Sequence, residues 1–374
     1  MNHSIGSGKL FSRGLFTAAI FLALALPAPA MTFNVTFDSS VTSQPNALQI
    51  ETAFINATLV FQNLYTNVMT VNITVFFLGG IGLGQSFTQE TGNPSYSQLT
   101  NALRNARTTA ADSNAVASLP PIDPTPNFSA GTNWWVPTAE SKALNDLPVP
   151  YNVATNDPAE DGQIYFDSGN SYTFDPTNRA VSGKFDFIGV AEHEISEVLG
   201  RIYSLNVGGG GYVPYDLFRF TNSGARSLDV NATNAYFSVD NGVTALKYFN
   251  SPVNGGDLQD WAQESPADSY DAFLISGQKA FLSSADLTAL DILGYKLHLT
   301  VPRLSGTRLA SGSFQLTFTN VSGLNFSILA STNIASAATN WTVLGMPIET
   351  PAAGQYQFTD SITNKARFYR VRLN

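Results

Sequence analysis

The alternation of apolar and polar positions divides the chain into a mixed α/β region followed by a purely β region. Over residues 46–65, apolar side chains including Leu48, Phe54, Ile55, Leu59 and Phe61 recur at helical spacing. Residues 71–77 alternate and are rich in β-branched side chains, which predicts a strand, and glycines at 79, 80, 82 and 84 break it. A second helix is expected over 95–117, entered through Asn93-Pro94 and carrying Leu99, Leu103 and Ala106. A proline-rich loop over 120–133 follows. A short helix near 139–144 and a strand over 162–166 then precede a helix that begins near Asp186. Gly200 is placed to end that helix, because glycine accepts the left-handed conformation that closes helices.

Beyond Gly200 the pattern loosens. Gly208 to Gly211 read as a flexible loop, and residues 212–282 as irregular chain with short strands such as 236–240. A last helix is signalled by Ser283 or Ser284 as cap, Asp286 in its first turn, Leu287, Leu290 and Leu293 on one face, and Gly294 at its end. From about Leu299 the period is two throughout, as in 313–318, 355–358 and 367–373, which predicts a small β-sandwich. The expected fold class is therefore α+β over residues 31–298, followed by an all-β sandwich domain over 299–374.

Composition narrows the setting. Lys9 and Arg13 precede a largely apolar run from Leu15 to Leu26, and Ala28-Pro29-Ala30 has the small residues of a cleavage site. Residues 1–30 thus read as a signal peptide cleaved near Ala30, making the protein a secreted, extracellular one of bacterial type. A chain of 374 residues exceeds what one compact core usually holds, so two domains are expected. The absence of cysteine excludes disulfides, Cys-zinc sites and cysteine nucleophiles. A net charge of −9 without any basic run argues against nucleic acid as a partner.

The candidate chemistry lies in His193-Glu194-Ile195-Ser196-Glu197-Val198-Leu199-Gly200-Arg201. In the H-E-x-x-H pattern of zinc proteases, two ligands one helical turn apart grip the ion and the intervening Glu is general base. Here the second position is Glu197. His193 and Glu197 share a helix face and can hold one cation, and Glu194 can address a water. Carboxylate is a legal zinc ligand, although it withdraws less charge from a bound water than imidazole does. Manganese, iron or calcium also suit such a site. A third ligand is not evident: the metzincin position is Tyr203, and Asp216 lies at a distance where other zincins place an acidic ligand, or pairs with Arg219. The competing reading makes Glu192, Glu194 and Glu197 the solvated face of an amphipathic helix whose core side is Ile188, Ala191, Ile195, Val198 and Leu199.

Other candidates carry less. Trp134-Trp135 suit the core better than a substrate cleft, and Gly208 to Gly211 lack the lysine of a phosphate loop. Asp257, Asp260 and Asp268 surround Trp261, but their spacing fits no EF-hand calcium loop. No G-x-S-x-G element supports a serine hydrolase.

The stretch from Phe185 to Arg201, then Tyr215-Asp216-Leu217-Phe218-Arg219-Phe220, Asp257-Leu258-Gln259-Asp260-Trp261 and Ser284-Ala285-Asp286-Leu287, resembles in order a family of secreted bacterial zincin-type, metzincin-like metalloproteases. The resemblance spans about residues 46–296. It implies a metallopeptidase fold, Zn2+ or another divalent metal held by His193 and Glu197, and Glu194 as catalytic base. Many members have a second His where this chain has Glu197. No methionine lies between Met69 and Met346, so the Met-turn of metzincins is missing. The C-terminal segment, with Trp341 and Phe368-Tyr369-Arg370-Val371, resembles β domains appended to secreted bacterial proteins, which implies cell-surface or matrix contact. The expectation is a secreted peptidase that hydrolyses a polypeptide substrate with a metal-activated water. The alternative is a non-catalytic exported surface or binding protein on a degenerate zincin scaffold.

Overall fold

The computed structural model describes residues 31–91, 94–125, 134–145, 147, 160–361 and 366–374. The expected signal peptide lies outside the described residues, as does most of the proline-rich loop. The protein is a mixed α+β structure with several sheets. Its first sheet contains β1 (Met31–Phe37), β2 (Met69–Leu78), β3 (Gly84–Thr88) and β4 (Gly162–Asp167). The spatial order is β1-β2-β4-β3, with β1, β2 and β4 parallel and β3 antiparallel at one edge.

Two helices cover one face of this sheet. In α1 (Ala47–Leu64), Ile50, Phe54, Ala57, Phe61 and Leu64 form the buried stripe, while Leu48, Ile55 and Leu59 face outward. The second is α5 (Phe187–Val198), reached after α2 (Tyr96–Ala106), α3 (Ala110–Ala117) and α4 (Thr138–Ala143). Val71, Ile73, Val75, Phe77, Ile164 and Phe166 alternate along their strands and point into the same buried core as α1 and α5. At Gly162 the sheet approaches α5 so closely that a Cβ would stand 2.6 Å from Val198 Cγ2.

Two expectations are corrected. The helix anticipated over 95–117 is two helices, because Arg107 leaves helical geometry and Thr109 caps a new start by accepting from Asp112 N. The glycine-rich stretch is not merely a strand terminator: after a turn at Gly80 and Gly82, both at positive φ, the chain re-enters the sheet as β3. Asp167 holds that turn by accepting from Gly80 N and Ile81 N, each at 2.9 Å.

After α5 come a small antiparallel sheet of short strands, long irregular loops, and α6 (Ser284–Asp291). The last region folds as two facing antiparallel sheets, one of four strands spanning residues 305–360 and one of three spanning 326–373. Aromatic side chains fill the space between them: Phe318 meets Phe326 edge-on at 5.2 Å, and Phe314 stacks on Tyr369 at 5.6 Å. This sandwich is docked, not tethered. Leu282 N donates to Gly323 O, Asn325 N donates to Leu282 O, and Lys279 pairs with Glu349 at 2.6 Å.

Candidate metal centre

Helix α5 carries the H-E-x-x-E motif through the middle of the molecule. Asp186 at its N-cap does not bond the helix amides; it accepts from Arg179 Nε at 2.9 Å and from Ala280 N at 3.0 Å, fixing where the helix starts. At the far end Gly200 has φ of +115°, the left-handed geometry anticipated for it. Between them Glu192, Glu194 and Glu197 are all buried, at 0%, 5% and 5% exposure. The solvated-face reading therefore fails: Glu192 is bonded to Arg179 and Ser269, Glu197 to Ser86 and Gln259, and Glu194 is pressed against Gly84.

The face carrying His193 meets a loop carboxylate. His193 Nε2 lies 3.3 Å from Glu197 Oε1 and 3.2 Å from Asp260 Oδ1, and ligand atoms of the three residues all fall within 4.8 Å of one another. Separations near 3.3 Å are those expected between two ligands of one tetrahedral ion with bonds of about 2.0–2.1 Å. His193 Nδ1 is 2.9 Å from the carbonyl oxygen of Ser269. A carbonyl can only accept, so Nδ1 carries the hydrogen and a neutral ring presents the Nε2 lone pair to two carboxylate oxygens. Something positive must lie between them, either a proton on Nε2 or a metal cation. The Nδ1–H to carbonyl bond is also the usual way a metal-binding histidine is oriented. The donor set thus fits a divalent cation, and in its absence an imidazolium. Burial opposes that imidazolium, but Asp260 and the bond to Glu197 outweigh it and raise the His193 pKa well above its ordinary value.

Glu197 is held on both oxygens, with Gln259 Nε2 donating to Oε1 at 2.6 Å and Ser86 Oγ to Oε2 at 2.7 Å. Despite burial, its bonds to His193 and the charge of Arg201 bring its pKa down to about 2, so it is a carboxylate throughout the ordinary pH range. Glu194 differs. Its Oε2 is buried without a hydrogen-bond partner. Burial first, and then the negative charge of Glu197, push its pKa well above the usual carboxylate range. One ionised carboxylate and one proton-avid carboxylate side by side are what a metal ligand and a general base require.

These groups line a cleft of about 900 Å³. One wall is β3, whose outer edge is paired with no other strand among the described residues; the opposite wall includes Tyr203, Asp257, Gln259 and residues 271–274. The candidate third ligands from the sequence sort clearly. Tyr203 lines the cleft, while the imidazole and carboxylate atoms that converge belong to His193, Glu197 and Asp260. Asp216 is turned into its own loop, accepting from Leu205 N at 2.9 Å and Val213 N at 3.1 Å, and it feels the charge of Arg219. The aspartates around Trp261, whose spacing fits no calcium loop, take separate roles: Asp260 joins His193, whereas Asp268 lies 3.3 Å from Lys247 Nζ. Trp134 is fully buried in the core, as its sequence setting suggested.

Asp260 is the candidate ligand that the sequence does not reveal as a partner of His193. Only contact across the fold brings this neighbour of Trp261 to α5. No protein-family model matches the chain, and neither a curated protein nor a solved structure shows significant similarity to it.

Proposed function

We propose that this protein is an exported metallopeptidase with a zincin-like catalytic domain, in which His193, Glu197 and Asp260 hold a divalent cation, best zinc. The observation that carries the reading is the convergence of these three ligand atoms on the floor of a cleft, beside a buried carboxylate with a raised pKa. When bound, such a cation supplies Lewis acidity toward a water and a scissile carbonyl. Glu194 accepts the proton of the attacking water and can return it to the leaving amine. His193 keeps its Nε2 aimed at the site through the Ser269 carbonyl, and Ser86 and Gln259 fix Glu197. The edge of β3, unpaired among the described residues, offers backbone hydrogen bonds to an extended polypeptide, which favours a peptide substrate.

Metal content and proteolysis measured on the wild type and Glu194→Gln test this reading. One zinc per chain in both proteins, with peptide hydrolysis only in the wild type, is expected. The absence of both stoichiometric metal and Glu194-dependent hydrolysis would overturn it. A second reading, a non-catalytic surface protein on the same scaffold, draws on Arg201, whose contact with Asp260 satisfies that carboxylate without a bound metal. Metal-bound but inactive wild-type protein would favour it.

A further inference from the structure

Behind the candidate ligands lies a cation that the proposed chemistry does not use. Arg201 is completely buried and does not line the cleft. Its Nη1 donates to Asp260 Oδ1 at 2.8 Å, and its Nη2 is 3.5 Å from Glu197 Oε1. Those are the same two oxygens that face His193 Nε2. The guanidinium is also tethered independently of the carboxylates: Nε donates to Ser196 Oγ at 2.7 Å, Nη1 donates to the Gln259 carbonyl at 3.2 Å, and the group lies 4.3 Å from the centre of the Tyr270 ring. Asp260 Oδ1 and Glu197 Oε1 thus stand between a fixed internal cation on one side and the cleft on the other.

Building on the metal-centre reading, we propose that Arg201 is a built-in counter-cation: a positioning residue that holds Glu197 and Asp260 in convergence when no metal is bound and sets how tightly a metal is held. Without Arg201, the His193 imidazolium alone would face two buried carboxylates, and their excess negative charge would push the loop carrying Asp260 away from α5. A carboxylate oxygen already bonded to a guanidinium also donates less charge to a cation on its other side, so Arg201 weakens the grip on the metal while keeping the site assembled. This explains how a site with two acidic ligands and a third acid, Glu194, avoids an uncompensated negative charge.

The test compares wild-type protein with Arg201→Met, using thermal melting with and without zinc and titration with zinc against a chelator. The metal-free variant is expected to melt below the wild type, yet to gain more from zinc and to bind it about tenfold more tightly or better. An arginine serving only to fill space would lower the melting temperature without tightening zinc binding, and that outcome overturns the proposal. Equal or weaker zinc binding by the variant removes the role of Arg201 alone; zinc binding by neither protein removes the metal centre itself. Should Arg201→Met not fold, Arg201→Lys retains the charge but cannot reach both oxygens, and it must also bind zinc more tightly than the wild type.

Discussion

Gly84 and Glu194 compete for the same space: a Cβ on the glycine would collide with Oε1 of the glutamate, and would stand 2.9 Å from Val190 Cγ1. The edge strand β3 therefore presses its bare backbone against the proposed base. Gly84 is not among the glycines at positive φ, so its lack of a side chain, not its backbone freedom, is what the position uses.

Gly84→Ala should displace the Glu194 carboxylate while leaving His193, Glu197 and Asp260 converged. Peptide hydrolysis is expected to fall about 100-fold in kcat, the scale of a mispositioned general base, with zinc affinity kept. Steady-state kinetics beside a zinc titration check this; unchanged kcat would show that Glu194 needs no such cradle.

Asp260 and Asp216 provide a paired contrast. Asp260→Asn should weaken zinc binding by roughly 100-fold or more, since it removes a proposed ligand. Asp216→Ala should leave zinc binding intact but destabilise the fold by roughly 1–3 kcal/mol, because the amides of Ser204, Leu205 and Val213 lose their common acceptor. Denaturant melts and zinc titrations on both variants separate the two roles.

The carboxyls of Asp112 on α3 and Asp291 on α6 give a pH dependence remote from the metal site. Burial raises Asp112 to about 6, and burial together with the nearby Asp112 raises Asp291 to about 7. Both folded values exceed those of an unfolded chain. The stability they contribute is thus complete below about pH 4 and is lost as pH rises through 6 to 7. Asn at 291 mimics the protonated acid and can still accept from Thr109 Oγ1, as Asp291 does at 2.5 Å. Asp291→Asn should match the wild type in melting temperature at pH 4 and exceed it at pH 8; equal melting at both pH values would contradict the assignment.

The sandwich and the α+β region should unfold in one calorimetric transition. Backbone bonds through Leu282, Gly323 and Asn325, and the bond from Ser284 N to Asn374 O, tie them together. Lys279→Met, which breaks the pair with Glu349, should lower that single transition without splitting it. Two separate transitions would restore the picture of an independent module.

What was legible in the sequence was local. The start and stop of α5, the strands β2 and β4, the cap of α6 and the alternation of the sandwich are written in periods, caps and glycines that act within a few residues. Strand β3 was obscured because glycines at 79, 80, 82 and 84 signal interruption, whereas Gly84 serves close packing. Asp260 was illegible as a ligand for a different reason. It sits in irregular chain, and no period relates a loop to the helix it faces. The acidic face of α5 misled in the same way: its polarity suggested water, but partners distant in sequence, among them Arg179, Ser269, Ser86 and Gln259, bond its carboxylates.

The docked sandwich has one more consequence, which concerns direction. A module on a slack tether lets its partner tumble, so attachment would localise the cleft without orienting it. Here the chain hydrogen-bonds the module to the segment that leads into α6, and Lys279 anchors it from the side. Any surface that gripped the module would therefore also aim the cleft, presenting it at one fixed bearing to whatever lay nearby.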